Sequence, residues 1–108
     1  DLLPRQRTLS TMQVIETVAL YFNLDAPALI GQDRSRSVST PRQIAMYLLR
    51  EETDASLPAI GDALGGRDHT TILYGCEKIA DLMERDDAMR RQIISLRERL
   101  YGRASVSA

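Results

Sequence analysis

Apolar residues recur at spacings of three and four along nearly the whole chain, and nowhere do they alternate with polar ones as a half-buried strand requires. That period predicts an all-α domain of about six helices. Ser10, with Gln13 three residues on, makes a capping box ahead of a first helix whose apolar set is Met12, Ile15, Val18, Ala19 and Phe22. Asp25 and Pro27 open a short second helix that Gly31 closes. After the polar stretch GQDRSRSVS, Thr40 is expected to cap a third helix. Pro41 takes its first position, Gln43 completes the box, and Ile44, Tyr47 and Leu48 face inward until about Glu52. Ser56 caps a fourth helix with the stripe Leu57, Ile60 and Leu64, ended by Gly65 and Gly66. Gly61 within it costs about 1 kcal/mol against alanine, which close approach to a neighbouring helix offsets. Asp68 caps a fifth helix with Ile72, Cys76, Ile79, Ala80 and Met83 on its inner face. A sixth runs from about Ala88, carries Met89, Ile93, Leu96 and Leu100, and stops at Gly102.

Length and composition narrow the classes. With 108 residues, 44% hydrophobic and 27% charged, the chain is one domain of ordinary globular make-up. No stretch approaches the roughly twenty apolar residues of a membrane span. The start, DLLPRQRTLS, lacks the layout of a signal peptide. The amphipathic first helix lacks the basic face of a membrane-surface helix, so no membrane partner is expected. One cysteine excludes a disulfide framework and every cysteine-rich zinc pattern, one histidine excludes HExxH, and a reducing, cytoplasmic setting fits. A Cys–His catalytic pair is excluded too. His69 and Cys76 stand seven residues apart on one helix, about 10.5 Å along its axis. Neither a catalytic nor a metal site is expected.

The formal net charge of −1 argues weakly against nucleic acid, but the distribution reverses the argument. From Arg34 to Arg50 the chain carries four arginines and no acid, whereas Glu77 to Asp87 is acidic. Arg34 and Arg36 bracket a serine in a polar loop, where flexible guanidinium groups suit a narrow minor groove. Arg42 and Gln43, in the expected first turn of the third helix, sit beside free amides that attract phosphate. The fourth and fifth helices, joined only by GGRD, form a helix-turn-helix that presents the start of the fifth to a major groove. There Asp68 can accept from a base amine, His69 can meet base edges, and the methyls of Thr70 and Thr71 can touch thymine. The competing reading is a helical protein-interaction module that keeps this fold without reading DNA.

The segments RSRSVSTPRQIAMYLLRE and SLPAIGDALGGRDHTTILYGCEKI, with their spacing, resemble the C-terminal DNA-binding domain of the bacterial replication initiator DnaA. The resemblance covers roughly Ser10 to Gly102, and Gly-Gly-Arg-Asp-His-Thr-Thr is its most specific motif. It implies a Trp-repressor-like helix-turn-helix domain with a basic loop, bound to double-stranded DnaA boxes at the replication origin in the bacterial nucleoid. On matching positions, Arg34 would enter the minor groove, Asp68, His69 and Thr70 would read base edges, and Thr71 would lie close by. Arg36, Arg42, Gln43, Arg50, Thr53, Ser56, Leu57, Pro58, Arg67 and Lys78 would hold the phosphate backbone or shape that surface. The resemblance divides the chain into a connector (1–10), the box-binding domain (11–102) and a frayed tail (103–108). It also implies no cofactor here, ATP belonging to an AAA+ domain of a full-length initiator, and a monomeric isolated domain whose full-length form oligomerises through other regions. Two departures stand out. Gln32-Asp33 precedes the arginines where the family carries more basic residues, and Glu77 replaces a basic one.

Overall fold

The computed structural model describes residues 9–106, so most of the expected connector, 1–8, lies outside the described residues, as do the last two residues of the expected tail. Six helices follow in order: α1 (Thr11–Tyr21), α2 (Ala26–Ile30), α3 (Arg36–Glu52), α4 (Leu57–Ala63), α5 (His69–Arg85) and α6 (Asp87–Val106). Their starts are chemically explicit. The Gln13 amide donates to Ser10 Oγ at 3.1 Å while Gln13 Oε1 accepts from the Ser10 amide at 2.8 Å, the reciprocal box expected. Asp25 accepts from the Ala28 amide, Ser56 from Ala59, and Asp68 from Thr71. Asp86 alone separates α5 from α6 and accepts from the Ala88 and Met89 amides.

Four expectations are corrected. First, α3 begins at Arg36, with Ser35 at its cap position, so Thr40 does not cap it and Pro41 lies inside it. Proline there removes one ladder bond. Burial of Val38 and two amides bonding the Ser35 carbonyl, from Val38 at 3.0 Å and Ser39 at 2.7 Å, hold the extra turn. Second, Met12 is 45% exposed and Val14 is buried in its place. Leu9, just before the cap, is also buried and shares that end of the core with Val14, the two positions of a hydrophobic staple. Third, Ala80 is exposed, because eight residues past Ile72 is about 80° off the buried line of α5. Fourth, α6 passes Gly102 and reaches Val106. A glycine ends a helix when it takes a left-handed conformation, and among the described glycines only Gly65 and Gly66 do so.

Helix α3 lies at the centre, packed on α1, α2, α4 and most extensively on α5; α6 closes the far side against α1 and α5. Ile15, Leu29, Ile44, Leu48, Ile60, Leu64, Ile72, Ile79, Ile93 and Leu96 are completely buried, each contributing about 1.5–3 kcal/mol of hydrophobic stabilisation. A polar clasp fastens the last turn of α3 to α6. Arg97 Nε donates to Glu52 Oε2 at 2.7 Å, the Tyr101 hydroxyl donates to Oε1 at 2.5 Å, and the Arg97 guanidinium lies over the Tyr47 ring. The helix-turn-helix is thus held from behind by α3.

Candidate nucleic-acid interface

The turn between α4 and α5 is built from glycines because backbone must pass close to backbone. A Cβ on Gly61 would lie 2.0 Å from the Arg67 carbonyl oxygen, so only glycine lets α4 accept the chain folding back over it. The Gly61 carbonyl in turn accepts from the Gly66 and Arg67 amides at 2.9 and 3.0 Å. The close approach expected of Gly61 is real, but its partner is the turn as well as a helix. Gly65 and Gly66 follow at φ +81° and +83°, which residues with a Cβ rarely adopt.

That turn delivers Asp68, His69, Thr70 and Thr71 to the surface as the exposed start of α5. Asp68 Oδ1 accepts from the Thr71 amide at 3.0 Å and from the Thr70 hydroxyl at 2.8 Å. Those donors, the Thr71 amide foremost, hold its carboxyl below the ordinary carboxylate range. Asp68 is therefore an ionised, acceptor-only group at neutral pH, fit to receive an amine proton and unfit to meet a phosphate. Thr70's hydroxyl is engaged, which leaves its methyl as the free group. His69 is exposed beside them. Cys76 belongs elsewhere: it is 3% exposed, its thiol donates to the Met46 carbonyl, and burial pushes its pKa up. The one histidine and the one cysteine do not converge.

The arginine segment is pinned more firmly than a flexible loop. The Ser35 amide donates to Asp33 Oδ1 at 2.8 Å, and the Asp33 carbonyl accepts from Arg42 Nη1 at 2.9 Å, so Arg34 stands exposed between two anchored neighbours. Arg36 belongs to the first turn of α3 and is likewise exposed. Arg42 and Gln43 are not in that first turn. Arg42 is only 5% exposed, with its guanidinium donating to the carbonyls of Leu29, Asp33 and Ala28, so it shapes the surface from within. Arg67, half-buried, likewise donates to backbone carbonyls, those of Ile30, Leu64 and Gly31. Thr53 is buried, donating to the Leu49 carbonyl and accepting from the Ala55 amide, which fixes the α3–α4 link.

Arg50, Ser56, Pro58 and Lys78 are exposed, and Gln43 and Leu57 half-buried. Gln43 lies against Gly75, where a Cβ would be 3.4 Å from Gln43 Cγ, and Arg50 reaches the neighbourhood of Cys76; both flank the middle of α5. Glu77 is exposed on α5 seven residues beyond Thr70, hence on the same side of the helix. Tyr74, 62% exposed on that line, was not singled out by sequence reasoning; its signal is its i+4 spacing from Thr70.

A model of the bacterial DnaA protein helix-turn-helix matches residues 11–79. The chain belongs to the bacterial DnaA helix-turn-helix family. Relatives named chromosomal replication initiator protein DnaA include one from Roseiflexus castenholzii, 47% identical over 100 residues, or 93% of this chain and 21% of the relative. Another, from Herpetosiphon aurantiacus, is 49% identical over 98 residues, or 91% of this chain and 21% of the relative. A third, from Chloroflexus aurantiacus, is 47% identical over 96 residues, or 89% and 20%. The chain thus spans about a fifth of the length of these DnaA relatives. The helix-turn-helix is a DNA-binding module in the DnaA family, and the matched span takes in α1 to α4 and α5 as far as residue 79. Helix α3 lies within the matched span and α6 outside it. Among the described residues no helix is long and apolar enough to cross a membrane.

Proposed function

We propose that this domain binds double-stranded DNA at DnaA boxes of a bacterial replication origin, with the start of α5 in the major groove and Arg34 in the adjacent minor groove. The observation that carries this is the exposed first turn of α5, in which an ionised acceptor, an imidazole and threonine methyls stand together on a rigid turn. Those groups match the donors and methyls of base edges and have no structural task that demands all of them. Exposed Arg34 and Arg36, which form no ion pair among the described residues, supply the positive charge that the net charge of −1 conceals. Arg50, Ser56, Gln43 and Lys78 hold the phosphate backbone at the flanks and Leu57 and Pro58 shape the surface between them, while Arg42, Thr53 and Arg67 shape it from beneath.

In this reading the domain is a binding module and not an enzyme. It takes no cofactor; ATP belongs to an AAA+ part of full-length relatives. The isolated domain is monomeric, assembly at the origin uses other regions, and the setting is the cytoplasmic nucleoid. Gel shifts of the 108-residue chain on a box duplex and on a scrambled duplex of equal composition test it. Binding tighter to the box by about a thousandfold at physiological salt is expected. Equal, weak binding to both would return the domain to the class of interaction modules.

A further inference from the structure

Two guanidinium groups from different parts of the chain, the buried one of Arg42 and the half-buried one of Arg67, divide one short run of carbonyls between them. Helix α2 ends at Ile30, and its last carbonyls have no helical partner. Arg42, on α3, donates to Ala28 at 3.2 Å and Leu29 at 2.6 Å; Arg67, in the helix-turn-helix turn, donates to Ile30 at 3.0 Å and Gly31 at 2.6 Å. Arg42 also holds the Asp33 carbonyl at 2.9 Å, one residue before Arg34, and Arg67 the Leu64 carbonyl at 2.6 Å, one residue before the glycines. The turn abuts the same place, since a Cβ on Gly65 would lie 2.4 Å from the Ile30 carbonyl oxygen.

This is a costly arrangement. Desolvation, and the charge of the neighbouring Arg67, both press the Arg42 pKa down. What it achieves is geometric. Each fork spends two bonds on the end of α2 and a third on Asp33, beside Arg34, or on Leu64, beside the turn that carries Asp68, and a planar fork with several donors constrains direction as a point charge cannot.

Resting on the proposed reading of the two grooves, we infer that Arg42 and Arg67 are positioning residues. They hold Arg34 and the Asp68–Thr71 tip at one fixed separation, so the domain measures the spacing between its minor-groove and major-groove sites. Inserting one base pair shifts one site by about 3.4 Å and about a tenth of a turn relative to the other, which a rigid pair of contacts cannot follow.

The test uses fluorescence anisotropy on a box duplex and on a set of duplexes with one base pair inserted at each position in turn. For each protein the readout is the ratio of affinities, matched over inserted. Wild type loses at least about tenfold on insertions lying between the two sites. Arg67→Lys keeps the charge but not the fork, and lowers that ratio by at least about fivefold, whereas Arg91→Lys, exposed on α6, leaves it unchanged. Arg42→Lys gives the same result from the other side of the carbonyl run. Partial unfolding of a variant lowers both affinities alike and cancels from the ratio, so a merely structural role would leave it untouched. Ratios for Arg67→Lys and Arg42→Lys within twofold of wild type overturn the inference while the box reading stands. Wild type that fails to tell box from scrambled duplex overturns both.

Discussion

Asp68 is asked to do two things with one carboxylate, to cap α5 and to read a base, and the pH dependence of stability reports on the first. Protonation must forfeit the bonds from the Thr71 amide and the Thr70 hydroxyl, so the folded pKa lies below the unfolded value of about 3.9. The resulting stabilisation is complete above that value and is lost as pH falls through the folded one. Asp68→Asn keeps a capping side chain but has no proton to take up. Its melting temperature should therefore trail wild type above the unfolded carboxylate pKa and approach it as pH falls through the lower folded one; a gap that stays constant from neutral pH into acid would contradict the charged cap. His69 has a simpler test. His69→Ala should cost about 1–3 kcal/mol on the box duplex and relax preference at a single base pair, measured over a panel of single-base variants. A uniform loss across the panel would remove His69 from the readers. Both residues could be found from the sequence, Asp68 by its place before an apolar period and His69 by its place after the cap. The tasks of Arg42 and Arg67 could not. Their partners are backbone carbonyls up to 37 residues away, and no local pattern reports a carbonyl.

The elements were readable wherever a cap or a period was unopposed. Ser10, Asp25, Ser56 and Asp68 each start a helix as their side chains predict. The reading failed where a local rule met a tertiary contact. Pro41 looks like a helix start and is instead passed over, because Val38 has core to fill one turn earlier. Gly102 looks like a stop, yet only a left-handed backbone would make it one. Two glycines of the helix-turn-helix offer a test at this scale. At Gly61 the obstacle is the Arg67 backbone carbonyl, 2.0 Å from a new Cβ, and it cannot yield without opening the turn. At Gly75 the obstacle is Met46 Sδ at 2.4 Å, the far end of a flexible side chain. Gly61→Ala should cost about 3 kcal/mol or more by urea unfolding. Gly75→Ala should fall within about 1 kcal/mol of wild type, since alanine's helix preference offsets the repacking. The opposite order would show that the turn is looser than its geometry.

At the scale of the molecule, the charge sum misleads and the charge map informs. Acid concentrates beyond the middle of α5, from Glu77 to Asp87, while Arg34 and Arg36 stand exposed on either side of a pinned serine. The helix-turn-helix was visible from two caps and a glycine pair. That the arginine segment and the turn share one carbonyl run was not, because it depends on α2 docking between them. The whole account stands on those two parts meeting DNA together. Amide NMR of the isotope-labelled chain, titrated with a box duplex, tests this most directly. Shifts should concentrate at Arg34–Ser37 and Asp68–Thr71 and saturate together at one equivalent, with only weak, diffuse changes on a scrambled duplex. Shifts confined to Glu77–Asp87 or to α6, or the same pattern on both duplexes, would contradict it.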